Sequence, residues 1–83
     1  MAKEKLGIFV VICTNEDNKI VSCEGYKTLE EAQSAMGQEW ENEREDMRQS
    51  GWDDLSIDAE LGLYSASLFA SEQNNYEWVI REI

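Results

Sequence analysis

Histidine and proline are absent from these 83 residues, and bases are scarce: seven Lys and Arg stand against eighteen Asp and Glu, a net charge of −11. Without histidine the commonest general base is missing. Glycine-rich phosphate loops and the G-x-S-x-G nucleophile turn are missing as well. The sequence therefore points away from an enzyme and calls for no cofactor. Without proline nothing interrupts long strands or a long helix. Seven scattered bases cannot neutralise a phosphate backbone, so direct binding to DNA or RNA is excluded on charge. An anionic membrane surface is disfavoured for the same reason. No run reaches the ~18 apolar residues of a membrane span. Met1 to Lys5 followed by Leu6 to Cys13 has the outline of a signal peptide. Asn15-Glu16-Asp17, however, stands where a small-residue cleavage site belongs. The reading is a cytoplasmic protein. Cys13 and Cys23 are too few for a disulfide framework. With no histidine they cannot complete a zinc site within one chain. They read as two small hydrophobes flanking a hairpin, with a dimer-bridging zinc or a redox switch as alternatives.

What the chain does have is acid, far beyond the charge of roughly 2–8 that suffices for solubility. Mutual repulsion works against the compact state. At 42% hydrophobic and 10% aromatic the composition is still that of a folded protein. One domain spanning residues 1–83 is expected, with a thin core in which Trp40, Trp52, Trp78, Phe9 and Phe69 carry much of the burial.

Leu6 to Thr14 reads as a strand apolar on both faces, and Lys19 to Glu24 as its hairpin partner across Asn15-Glu16-Asp17-Asn18. Thr28-Leu29-Glu30-Glu31 is a capping box, and Ser50-Gly51 is a helix stop. Between them Leu29, Ala32, Met36, Trp40 and Met47 form one apolar seam. From Leu55 to Leu63 the apolar residues are odd-numbered, and from Tyr64 to Ala70 mostly even. The slip at Gly62 means a bulge, a bend or two elements. Tyr76 to Ile83 is the last strand. The order β-β-α-β-β predicts an α+β fold: an antiparallel sheet of about four strands with one long acidic helix on one face. One helix covers one face only. Phe9, Val11 and Cys13 then need a cover from loops or from a second copy, a hint of a homodimer.

The acids of the helix fall into two groups. Glu41 faces Arg44, and Glu45 faces Arg48, as ordinary i,i+3 surface pairs. Glu39, Glu43 and Asp46 sit at i, i+4 and i+7, and no Lys or Arg lies three or four places from any of them. Successive members repel by roughly 0.2–0.5 kcal/mol. Asp46 also sits near the negative end of the helix dipole. Local stability does not select such a row. Either it is a solvated face, or it is a surface for a basic partner, with Glu41, Glu45, Asp53 and Asp54 assisting. The Ca²⁺-loop pattern is absent, so no metal is assigned to these acids.

In size, in charge and in the Glu39–Asp46 run the chain resembles the short, acidic, histidine-poor α+β proteins of phages and mobile elements. Anti-CRISPR proteins and other DNA mimics are among them. The resemblance implies an inhibitor that occupies the basic, nucleic-acid-binding surface of a host enzyme. It is a resemblance of class, with no diagnostic motif and no residue roles to carry over. The rival expectation is a small structural or accessory homodimer whose acids only solvate it.

Overall fold

The hairpin predicted at the start is formed by β1 (Phe9–Asn15) and β2 (Ile20–Tyr26) in a computed structural model that describes residues 8–83, the side chain of Asp54 apart. Leu6, placed in the first strand by its alternation, lies outside the described residues, as do Met1 to Lys5. The turn is built by Asn15, whose Oδ1 accepts the backbone N–H groups of Asp17 and Lys19. Asn18 takes a left-handed φ of 61°, which asparagine tolerates better than most residues.

α1 (Leu29–Gln49) begins and ends on the predicted signals. The Thr28 side chain accepts the Glu31 N–H at 3.1 Å, and Glu31 Oε1 accepts the Lys27 N–H at 3.3 Å. At the other end Trp52 N–H bonds the Met47 carbonyl and Gly51 N–H the Arg48 carbonyl. This is the paired closure of a helix whose next residue is left-handed, and Gly51 supplies it with φ of 103°. A short 3₁₀ turn (Asp54–Ser56) leads to β3 (Asp58–Leu61), β4 (Ser65–Ser71) and β5 (Asn74–Glu82). The phase slip at Gly62 is thus the boundary between two strands, closed by Gly62 N–H on the Ser65 carbonyl at 2.8 Å. That boundary makes five strands among the described residues, where about four were expected.

All pairings are antiparallel, in the order β2-β1-β5-β4-β3. α1 packs on one face of this sheet, and the fold is α+β. The seam is as predicted: Ala32, Met36, Trp40 and Met47 are buried and Leu29 packs at their edge. They meet Val11, Cys13, Leu68, Ala66, Trp78 and Ile80. Trp52 and Phe9 are only partly buried, and Phe69 is exposed.

One expectation is corrected here. The Phe9, Val11 and Cys13 side of β1 is the one the helix covers. The register sets Val11 beside Ile80 and Cys13 beside Trp78, so these residues share the buried face. Ile8, Val10 and Ile12 point the other way. Alternation alone could not choose between two apolar sides; the neighbouring strand decides. The β1–β2 register separates the cysteines. Cys13 pairs with Ser22 toward the helix, while Cys23 pairs with Ile12 on the opposite face.

Trp40 ties helix to sheet twice, by a buried ring and by its indole N–H, which donates to the Ser67 carbonyl at 3.1 Å. Trp40→Ala is expected to cost ~3–5 kcal/mol. Against a total stability of roughly 4–12 kcal/mol for a chain this long, that is a large fraction. Urea denaturation reads it directly; an unchanged midpoint would place Trp40 outside the core.

Candidate functional site

The acidic row of α1 does not stand clear of the fold. Glu39 reaches down to the sheet. Its Oε1 accepts the indole N–H of Trp78 at 3.0 Å and the hydroxyl of Ser22 at 3.3 Å. Trp78 is 1% exposed, so its N–H has no water to turn to. A buried donor left without an acceptor costs ~1–3 kcal/mol, and Glu39 removes that cost. Glu39 therefore has a structural task inside the row.

One turn on, Glu43 is half-buried in a groove of about 340 Å³ between α1 and the β1–β2 hairpin. Cys13, Ser22, Glu39, Asn42, Tyr76 and Trp78 line it with Glu43. The groove continues past Glu43 and Tyr76 to Asp46, Ser50, Trp52 and Asn74. Burial pushes the Glu43 carboxyl above the usual range, and the charges of Asp46 and Glu39 push it further in the same direction. Tyr76 is held protonated by burial and then by Glu43, Glu16, Cys13 and Asp46. Its ring lies 6.0 Å from that of Trp78, tilted by 38°. The Cys13 thiol is pushed up to about 12, by burial first and by Glu39 and Glu43 second. It is a neutral thiol at physiological pH, not a nucleophile.

The seven predicted contact residues therefore divide. Glu39, Glu43 and Asp46 are brought together along one groove. Glu45 and Asp53 line a separate shallow depression with Arg48, Gln49 and Trp52. There Glu45 bonds Arg48 at 3.0 Å, as its spacing predicts, and accepts Gln49 Nε2 at 3.3 Å. Glu41 is exposed and lines neither feature; the Arg44 guanidinium stacks 5.4 Å from the Trp40 ring. Asp54 opens the 3₁₀ turn, and its side chain lies outside the described set.

Sequence reasoning missed Ser22, Asn42, Tyr76 and Trp78 as groove walls. A signal for Glu39 did exist: a buried tryptophan needs an acceptor, and an acid beside the seam can provide one. The arrangement offers a negatively charged, aromatic-walled groove suited to a cation or a basic side chain. It shows no nucleophile–base pair. Among the described residues, no three His, Cys, Asp or Glu side chains are placed to hold a metal ion. No helix among the described residues is long and apolar enough to cross a membrane. Comparison with protein-family models, with curated proteins and with solved structures finds no match to this chain.

The raised Glu43 carboxyl has a consequence for stability. A folded-state pKa above the unfolded one means that folding favours the protonated form. The associated stabilisation is present at low pH and is lost as pH rises through the folded value. The melting temperature should therefore climb as pH falls from 7 toward about 5. Glu43→Gln should be more stable than the parent at pH 7 and should climb less. Parallel pH profiles for the two proteins would remove Glu43 from this role.

Proposed function

We propose that this chain is a non-enzymatic, cytoplasmic binding protein whose acidic helix face occupies a basic, nucleic-acid-binding surface of a partner and so blocks it. The reading rests on one observation: Glu43 lies half-buried in the groove beside Asp46 and Glu39, where burial and both charges push its carboxyl pKa up. Its three pKa influences all disfavour the charge. A lysine or arginine entering the groove would oppose them, since a cation beside a desolvated carboxylate favours the ionised form. The partly exposed Tyr76 side chain, which lines the groove, adds an aromatic wall beside the same cation. Asp46 and, further along, Glu45 and Asp53 extend the negative surface. The rise of α1 spaces Glu43 and Asp46 by about 4.5 Å along the axis. That is short enough to engage neighbouring phosphate-binding side chains together. The phage-type inhibitors and DNA mimics that the chain resembles act in this way. Charge steering would make association fast and salt-sensitive.

Glu39 is left out of the binding set because its carboxylate is committed to Trp78 and Ser22. Glu43→Gln with Asp46→Asn is therefore the informative pair. A matched control is Glu30→Gln with Glu82→Gln, two exposed acids away from the groove. With the parent chain as bait in a lysate of its native host, the retained partner should be a basic nucleic-acid-binding protein. Added duplex DNA should displace it, and a salt gradient should elute it. The groove pair should lower retention about tenfold or more, and the control pair should barely change it. Equal losses in both pairs would reduce the effect to net charge. A partner indifferent to DNA would end the blocking hypothesis.

A further inference from the structure

The acids crowd the helix side of the molecule, and the other side of the sheet is of different character. No described element covers it. Its centre is the row Cys23, Ile12, Val79 and Ser65, neighbours across β2, β1, β5 and β4. Val10 adjoins this row, and Ile20 and Phe69 stand exposed toward its edges, 63% and 46% accessible. Five strands at about 4.8 Å make a face roughly 24 Å wide. An uncovered face with Val10, Ile12 and Val79 at its centre and polar residues around them is suited to a partner.

The charges on this face identify the partner. β5 is the middle strand, and outward from it point Glu77, Val79 and Arg81. Glu77 lies in the row of Thr14 and Ser67, one step to one side of Val79; Arg81 lies beside Val10, one step to the other. The pattern is acid, apolar, base, symmetric in position and opposite in sign about Val79. A two-fold axis running across the strands through the Val79 row exchanges the two flanking rows. It sets Arg81 against Glu77 of a second copy, twice, and stacks Ile12 and Val79 on their own equivalents. Sheets so packed lie ~10 Å apart with strands aligned within about 30°, a gap that an arginine and a glutamate span together. Both acidic helices then lie on the outside, separated by two sheet layers. That exceeds a Debye length of ~10 Å, so the acids of the two helices are largely screened from each other. An anionic bilayer would meet Asp58, Glu60 and Glu77, and a uniformly basic partner would leave Arg81 without the acid that a second copy supplies.

We infer that the open face of the sheet is the interface of a two-fold homodimer, an aligned β-sandwich locked by reciprocal Arg81–Glu77 pairs around Val79. The interface is isologous, as a two-fold requires. The face is small for a specific interface, so the dimer is weak and depends on concentration. It is independent of the acidic groove and leaves that groove open on both outer sides.

Sedimentation equilibrium of the full chain should show a mass rising toward twice 9.6 kDa with concentration. Arg81→Glu and Glu77→Arg should each weaken association about tenfold, and the two together should restore it. All three variants should melt like folded proteins, because both side chains are exposed. Cys23 provides a second readout. It is the exposed thiol of the pair and lies on the proposed axis row. A short bifunctional thiol reagent should cross-link two parent copies through Cys23 and fail with Arg81→Glu. A monomer at every concentration would overturn the proposal. A dimer that ignores both charge reversals would do the same, by placing the interface elsewhere.

Discussion

The indole N–H of Trp78 is the constraint on which the arrangement of this molecule turns. Trp78 sits on the central strand, beneath the helix and away from water. Its ring contributes more apolar burial than most core residues of so small a protein. Its polar tip must be satisfied, or about 1–3 kcal/mol is lost from a small total. Glu39 satisfies it, and the next residue, Trp40, returns the favour by donating to the Ser67 carbonyl. Consecutive helix residues thus grip β5 and β4 with opposite polarity, one accepting and one donating. That pair of bonds fixes both the rotation and the height of α1 on the sheet.

Once α1 is so placed, the rest of its acids have no freedom of position. With Glu39 turned inward, Glu43 is carried to the lip of the groove, and there burial and its neighbours raise its pKa. Asp46 follows at the open end. The crowding of charge in this row is therefore a consequence of anchoring the helix through an acid. Glu41 and the Glu45–Arg48 pair fall on other sides of the helix and behave as ordinary surface groups. The charge of the protein is thus unevenly distributed. One side carries the acidic groove; the other is a mixed sheet face with Ile12 and Val79 at its centre, an acid–base alternation along β5, and Asp58 and Glu60 on β3.

Much of this architecture was legible in the residues. The capping box at Thr28, the glycine stop at Gly51 and the 3.6-residue seam are local signals, and local signals survive folding. The last strand and the break at Gly62 were visible as alternation and its slip, although the slip did not say that it divided two paired strands. Strand order was not legible, since nothing local shows that the final strand inserts between β1 and β4. That insertion decided which side of β1 the helix covers, while the register of the β1–β2 hairpin separated Cys13 from Cys23. For the site, the wheel already held part of the answer. At about 100° per residue Glu43 falls between Ala32 and Met36, inside the apolar arc, so its half-burial follows from the same periodicity that defined the seam. The bond from Trp78 to Glu39 joins residues 39 apart and could not be read before the sheet register was known.

The account depends most directly on Glu39 serving the fold through Trp78. A double-mutant cycle of Glu39→Ala and Trp78→Phe, followed by urea denaturation, isolates that pair from the cavity each change leaves behind. The predicted coupling is about 1–3 kcal/mol, because Trp78→Phe removes the donor that Glu39→Ala would strand. Additivity of the two changes within about 0.5 kcal/mol would contradict the account: Glu39 would be one more surface acid, and the helix would be anchored by other means.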